Sequence, residues 1–96
     1  MEFNALIELD VHVDPLTDTE IGRILDPVLP HHGCVARSAK GRVQLIVTID
    51  AVDAIHALRF VHELTSTAYA NHRVACVDIL PTVAYDVHTG AVGDFR

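Results

Sequence analysis

The chain has 96 residues, half of them hydrophobic, and a formal net charge of −6. That size and apolar content specify one packed domain and exclude a largely disordered chain. The charge argues against direct nucleic-acid binding, which needs basic residues to displace counterions from phosphate, and no apolar run approaches the ~20 residues of a bilayer span.

The seven basic residues are spread thinly. Only Arg37, Lys40 and Arg42 cluster, and a solvated turn accounts for them. The chain opens with Glu2, Asn4 and Glu8 in place of a basic stretch and a long apolar core, so no secretory signal is read. A cytoplasmic protein without membrane contact is expected, with Cys34 and Cys76 as reduced thiols.

Residues 3–13 alternate. Ala5, Ile7, Leu9, Val11 and Val13 take one face; Leu6, Glu8, Asp10 and His12 take the other, as in a half-buried strand. Asp14-Pro15 ends it. Thr17 and Glu20 are then spaced as a capping box, and Leu16 with Ile21 as a hydrophobic staple. Ile21, Ile24, Leu25 and Val28 lie on one helical face. Pro27 ends or kinks that helix, since it lacks an amide donor and clashes with the preceding turn. Pro30 and His31-His32-Gly33 read as a loop, and Cys34 to Arg37 as a short edge strand.

Ser38-Ala39-Lys40-Gly41 reads as a hairpin turn, with Gly41 where positive φ is needed. Val43 to Ile49 is the clearest strand in the chain. Asp50 or Asp53 caps a second helix, whose predicted buried stripe is Ala51, Ala54, Ile55, Leu58, Val61, Thr65 and Ala68. His56, Arg59, Glu63 and Thr67 look outward. Asn71-His72-Arg73 turns into a last strand, Val74 to Leu80, which Pro81 interrupts. Thr82 to His88 alternates again, and Gly90 to Arg96 reads as a frayed end. The domain therefore spans residues 1–80, with a strand-like C-terminal tail over 81–96.

The chain also says one thing twice. Leu9, Val11, Val13 and Asp14 read L-x-V-x-V-D; Leu45, Val47, Ile49 and Asp50 read L-x-V-x-I-D. Each phrase leads into a helical segment and then a short apolar run. Two tandem βαβ units predict a ferredoxin-like α+β sandwich, an antiparallel sheet with both helices on one face. Right-handed crossovers put the first strand between the third and the fourth, and leave the second and fourth at the edges.

Two groups of residues invite a chemical reading. His31, His32 and Cys34 lie close in sequence, as do His72 and Cys76, and such N/S ligands suit zinc. The topology puts the two groups at opposite ends of the sheet, a strand length or ~17 Å apart, so polar loop residues beside small thiols are the plainer reading. The uncovered sheet face gathers Glu8, Asp10, His12, Cys76 and Asp78, a set able to bind a metal or to act as acid and base. An antiparallel sheet that faces water carries such side chains for that reason alone. No G-x-S-x-G, phosphate-binding glycine loop or Cys-His pair with an orienting group is present. Base stacking of the RNA-recognition kind needs aromatics where this chain has Asp10, His12, Gln44 and Ile46.

Glu8 to Glu20 reads E-L-D-V-H-V-D-P-L-T-D-T-E. With the short helix, G-R-V turn-and-strand and second helix that follow, over roughly residues 5–80, it resembles small actinobacterial and actinophage proteins of unassigned function. Some of those carry this α+β unit ahead of a helix-turn-helix, so the resemblance implies a regulatory or interaction module. This chain departs after Asp78-Ile79-Leu80, where Pro81 and the strand-like tail stand in place of a helix-turn-helix. The expectation is a non-enzymatic protein-interaction or regulatory module with no cofactor. It would form a homodimer through the edge of the last strand or through the tail. The alternatives are a metal- or small-ligand-binding domain, or a small enzyme, using the uncovered sheet face.

Overall fold

The computed structural model describes residues 1–82. It is an α+β fold: β1 (Glu2–His12), α1 (Asp18–Leu25), a 3₁₀ helix (Asp26–His31), β2 (Cys34–Arg37), β3 (Arg42–Asp50), α2 (Ala54–Ala68) and β4 (Val74–Pro81). The four strands form one antiparallel sheet in the order β2-β3-β1-β4. The expected strand neighbours and edges hold. Pro81 and Thr82 apart, the tail lies outside the described residues.

β1 and β3 are the centre, paired from Glu2↔Asp50 to Glu8↔Gln44. Their odd-numbered side chains point to one face. Phe3, Ala5, Ile7 and Leu9 of β1 and Val43, Leu45, Val47 and Ile49 of β3 are all buried there. Ile24 and Val28 of the first helical segments and Ala57, Val61, Leu64 and Tyr69 of the second join the same core. Both halves of the repeated phrase supply core positions, and Leu9 and Leu45 are each fully inaccessible.

The helix starts follow their sequence signals. The Thr17 hydroxyl accepts from the Glu20 amide at 3.2 Å while the Glu20 carboxylate accepts from the Thr17 amide at 3.0 Å. These bonds from the Thr17 backbone and then its side chain hold the Glu20 carboxyl below the usual range. Asp53, not Asp50, caps α2, accepting from the His56 amide at 2.9 Å. Asp50 instead pairs with the N-terminal amine. Gly41 has φ +80° in the hairpin, as its turn requires.

Three boundaries differ from expectation. β1 ends at His12, because the register slips past Glu8: four residues of β1 span two of β3. The α-helix stops before Pro27, yet the chain continues as a 3₁₀ helix through Pro30 to His31 where a loop was predicted. Pro27 sits in its first turn, where no amide partner is needed. His32 then reverses the chain at φ +54°. Gly33 follows because any Cβ there would collide with Val28. Pro81 closes β4 opposite Phe3 instead of interrupting it, which an edge strand tolerates.

The stripe on α2 is also rotated from the predicted one. Ala57, Val61 and Leu64 are buried, with Phe60 half-buried, whereas Ala54, Ile55, Leu58 and Ala68 are exposed and Ala51 and Thr65 half-buried. The helix rolls toward the 3₁₀ helix, where the His31 ring meets Phe60 edge-on at 4.8 Å between centroids. At the other end the buried Tyr69 hydroxyl donates to the Ile24 carbonyl, tying α2 to α1. Burial, with the Asp26 charge nearby, pushes that phenol up to about 12.

Two outcomes follow. Leu9→Ala or Leu45→Ala should each lower unfolding stability by about 2–5 kcal/mol, read from urea melts, because each leaves a cavity in the central layer. Tyr69 is neutral when folded and its folded pKa lies above the unfolded one. Its contribution is therefore complete below pH 10 and is lost as pH rises from 10 toward 12, by about 2 kcal/mol. Stability measured across that range should fall more steeply in the parent chain than in Tyr69→Phe; parallel curves would show that the phenol is not protected.

Candidate functional site

The even-numbered side chains of β1 and β3 form the face away from the helices. The cross-strand registers arrange it in rows: Thr48–Asn4–Leu80, then Cys34–Ile46–Leu6–Asp78, then Ala36–Gln44–Glu8–Cys76. The face has two halves. Near the start of β1 it is apolar, with Leu6, Ile46 and Leu80 half-buried. Asn4 lies among them at 7 % exposure and donates to the Thr48 hydroxyl at 3.2 Å. Its carbonyl oxygen has no partner among the described residues.

The other half holds the charged groups. Glu8 stands directly across from Cys76, and Asp78 lies one row away, opposite Leu6. Arg42 reaches into this half, 3.4 Å from the Glu8 carboxylate and 3.6 Å from that of Asp10. The slip in β1 sets His12 opposite Arg42 and beside Gly41, past Glu8. Of the five candidate residues, Glu8 and Asp10 therefore share Arg42, Cys76 lies across from Glu8 on the opposite side of β1, Asp78 is one row further, and His12 stands opposite Arg42 beyond the slip. Among the described residues no three His, Cys, Asp or Glu side chains are disposed to hold a metal ion.

Arg42 is the residue missed in the sequence. It reads as one of three basic residues at a solvated turn, yet the three have different fates. Arg37 pairs with Asp14, whose carboxyl its hydrogen bond and charge hold below the usual range. Lys40 is exposed, and Arg42 is the first residue of β3. Stepping the even-numbered face of β3 back by two from Gln44 would have found it.

The His/Cys groups do not converge. His31 packs on Phe60 on the helix side, whereas Cys34 is opposite Ile46 on the other face. His72 lies by the Tyr69 ring and a groove beside Leu16, Glu20 and Arg23, while Cys76 is again across the sheet. Cys34 and Cys76 are free, exposed and on opposite edge strands. Three strand spacings, ~14 Å, separate such edges, far beyond what a disulfide spans. The grooves along α2, one of about 600 Å³ lined by His31, Phe60, Glu63 and Thr67, are on the helix side and include none of the open-face candidates.

No family model, curated protein or solved structure matches the chain. No helix among the described residues is long and apolar enough to cross a membrane.

The site chemistry is that of a partly buried cation shared by two carboxylates. Glu8 side-chain exposure is 16 % and that of Arg42 28 %, so removing one partner strands the other. A double-mutant cycle of Glu8→Gln and Arg42→Met, read by urea unfolding, should give a coupling of about 1 kcal/mol. Additive effects would mean the pair is a solvated contact.

Proposed function

We propose that this chain is a ferredoxin-like, non-enzymatic interaction module that forms a twofold dimer through the edge of β4. The strand order and the two right-handed crossovers implied by it support the ferredoxin-like reading. One observation carries the dimer. β4 is an eight-residue edge strand bonded to β1 on one side, and its only charge is Asp78. Long edges with unpaired amides recruit another strand unless charge, proline or a bulge blunts them. Pro81 is only at the far end, and the irregularity beside Ala75 is only at the near end. The opposite edge, β2, has four residues and offers far less.

The uncovered face favours this reading over the chemical alternatives. Glu8 and Asp10 already share Arg42, whose positive charge opposes a bound dication. The net charge of −6 and the engagement of Arg37 and Arg42 by carboxylates argue against a nucleic-acid partner. Two free exposed thiols suit a reducing compartment, in keeping with the cytoplasm. A module of the kind implied by the actinobacterial and actinophage resemblance would use such an edge for assembly.

Light scattering on the full chain at about 50 µM should give the dimer mass, with a dissociation constant in the micromolar range or below. Ala75→Lys with Cys76→Lys, both at exposed positions on the edge, should give the monomer mass with an unchanged circular dichroism spectrum. A monomeric parent chain would refute the proposal.

A further inference from the structure

We propose that the outer flank of α2 is the second layer of the same interface, packing antiparallel against α2 of a second copy; this rests on the β4-edge dimer. The starting point is an excess of apolar surface. Ile55 is 63 % exposed and Leu58 52 %, and the two lie one turn apart on the same helix. Single exposed hydrophobics are ordinary, but a strip of them on an otherwise well-packed element marks a contact surface.

The strip points the right way. Phe60 faces the 3₁₀ helix through His31. At ~100° per residue, Leu58, His62 and Ile55 fall roughly 140–160° around the helix from Phe60. They therefore face away from the other helical segments. α2 packs chiefly over β4 and β1, while α1 and the 3₁₀ helix lie over β2 and β3. The flank that faces away from them is the one beside the β4 edge.

The distances also fit. Two paired β4 strands would be ~4.8 Å apart. A helix centred between β1 and β4 then lies ~5 Å from the twofold axis, so the two α2 helices would be ~10 Å apart, the spacing of packed helices. Because the paired strands run antiparallel, so do the helices.

Buried area requires such a second layer. An eight-residue strand is ~26 Å long, and edge pairing alone covers roughly 260 Å² per chain, against the ~800 Å² of a stable interface. The strip adds Ile55, Leu58 and the His62 ring. It carries no carboxylate, and its rim holds one fixed charge of each sign, Arg59 and Glu63. A twofold pairing centred on the strip sets Leu58 against Leu58 of the second copy and Ile55 against its His62 ring, so apolar surface meets apolar surface.

The test is sedimentation equilibrium on the full chain and three variants: Ile55→Glu with Leu58→Glu, Thr67→Glu on the opposite flank, and the Ala75→Lys/Cys76→Lys edge variant. All substituted positions are exposed in the single chain, so circular dichroism and melting should show intact monomers. The expected result is a dissociation constant raised about 100-fold or more by the Ile55/Leu58 pair and unchanged by Thr67→Glu. If the edge variant is monomeric while the Ile55/Leu58 variant dimerises like the parent, the α2 layer is overturned and the β4-edge reading stands. A Thr67→Glu effect equal to that of Ile55/Leu58 would reduce the result to added charge and also overturn it. A monomeric parent chain overturns both readings.

Discussion

The antiparallel pairing of β1 with β3 is the constraint on which the rest of the molecule depends. Seven cross-strand pairs in unbroken register, Glu2↔Asp50 to Glu8↔Gln44, set the odd-numbered side chains of both strands on one face. A slip of one residue would turn Ile7, Leu45 and Val47 to the other side and bring Glu8 and Gln44 into the core. The register is thus fixed by burial as much as by hydrogen bonds. β2 and β4 attach to it as edges, and both α-helices exist to cover the apolar face that it makes.

Covering that face is a close fit on one side and a loose one on the other. The first helical segment is short, and Pro27 divides it into an α and a 3₁₀ part that lay Ile24 and Val28 on the sheet. α2 is fastened at two places: Phe60 against His31, and the Tyr69 hydroxyl on the Ile24 carbonyl. Both fastenings draw it toward α1. Its far flank, with Ile55 and Leu58, is left without a neighbour from the described chain. The same asymmetry in the sheet leaves β4 longer than β2. Among the described residues, exposed apolar helix surface and the outer edge of β4 thus lie on the same side of the molecule.

The uncovered face is a divided surface. Arg42 lies between the Glu8 and Asp10 carboxylates in its charged half. Its other half carries Leu6, Ile46 and Leu80 around a buried amide. Paired charges of this kind contribute little net stability but are costly to separate, so they specify the face without activating it.

Much of this was determined by the sequence alone. Alternation with a period of two identified β1 and β3, and the repeated L-x-V-x-[VI]-D phrase established two strand–helix–strand units with a shared core, because side-chain direction in a strand depends only on position. Thr17, Glu20 and Gly41 announced their cap and turn, since those bonds and angles are local, whereas the cap of the second helix was left between Asp50 and Asp53 until the structure placed it at Asp53. Tertiary structure decided what locality cannot reach. The apolar arc of α2 is wider than the sheet can cover, so which part is buried depended on where Phe60 and Tyr69 found partners. The extra residues of β1 between Glu8 and His12 set that histidine opposite Arg42, and Arg42 became the counter-ion of Glu8 and Asp10 only once β3 lay beside β1. Those outcomes depend on contacts between residues far apart in the chain, and no pattern within either segment encodes them.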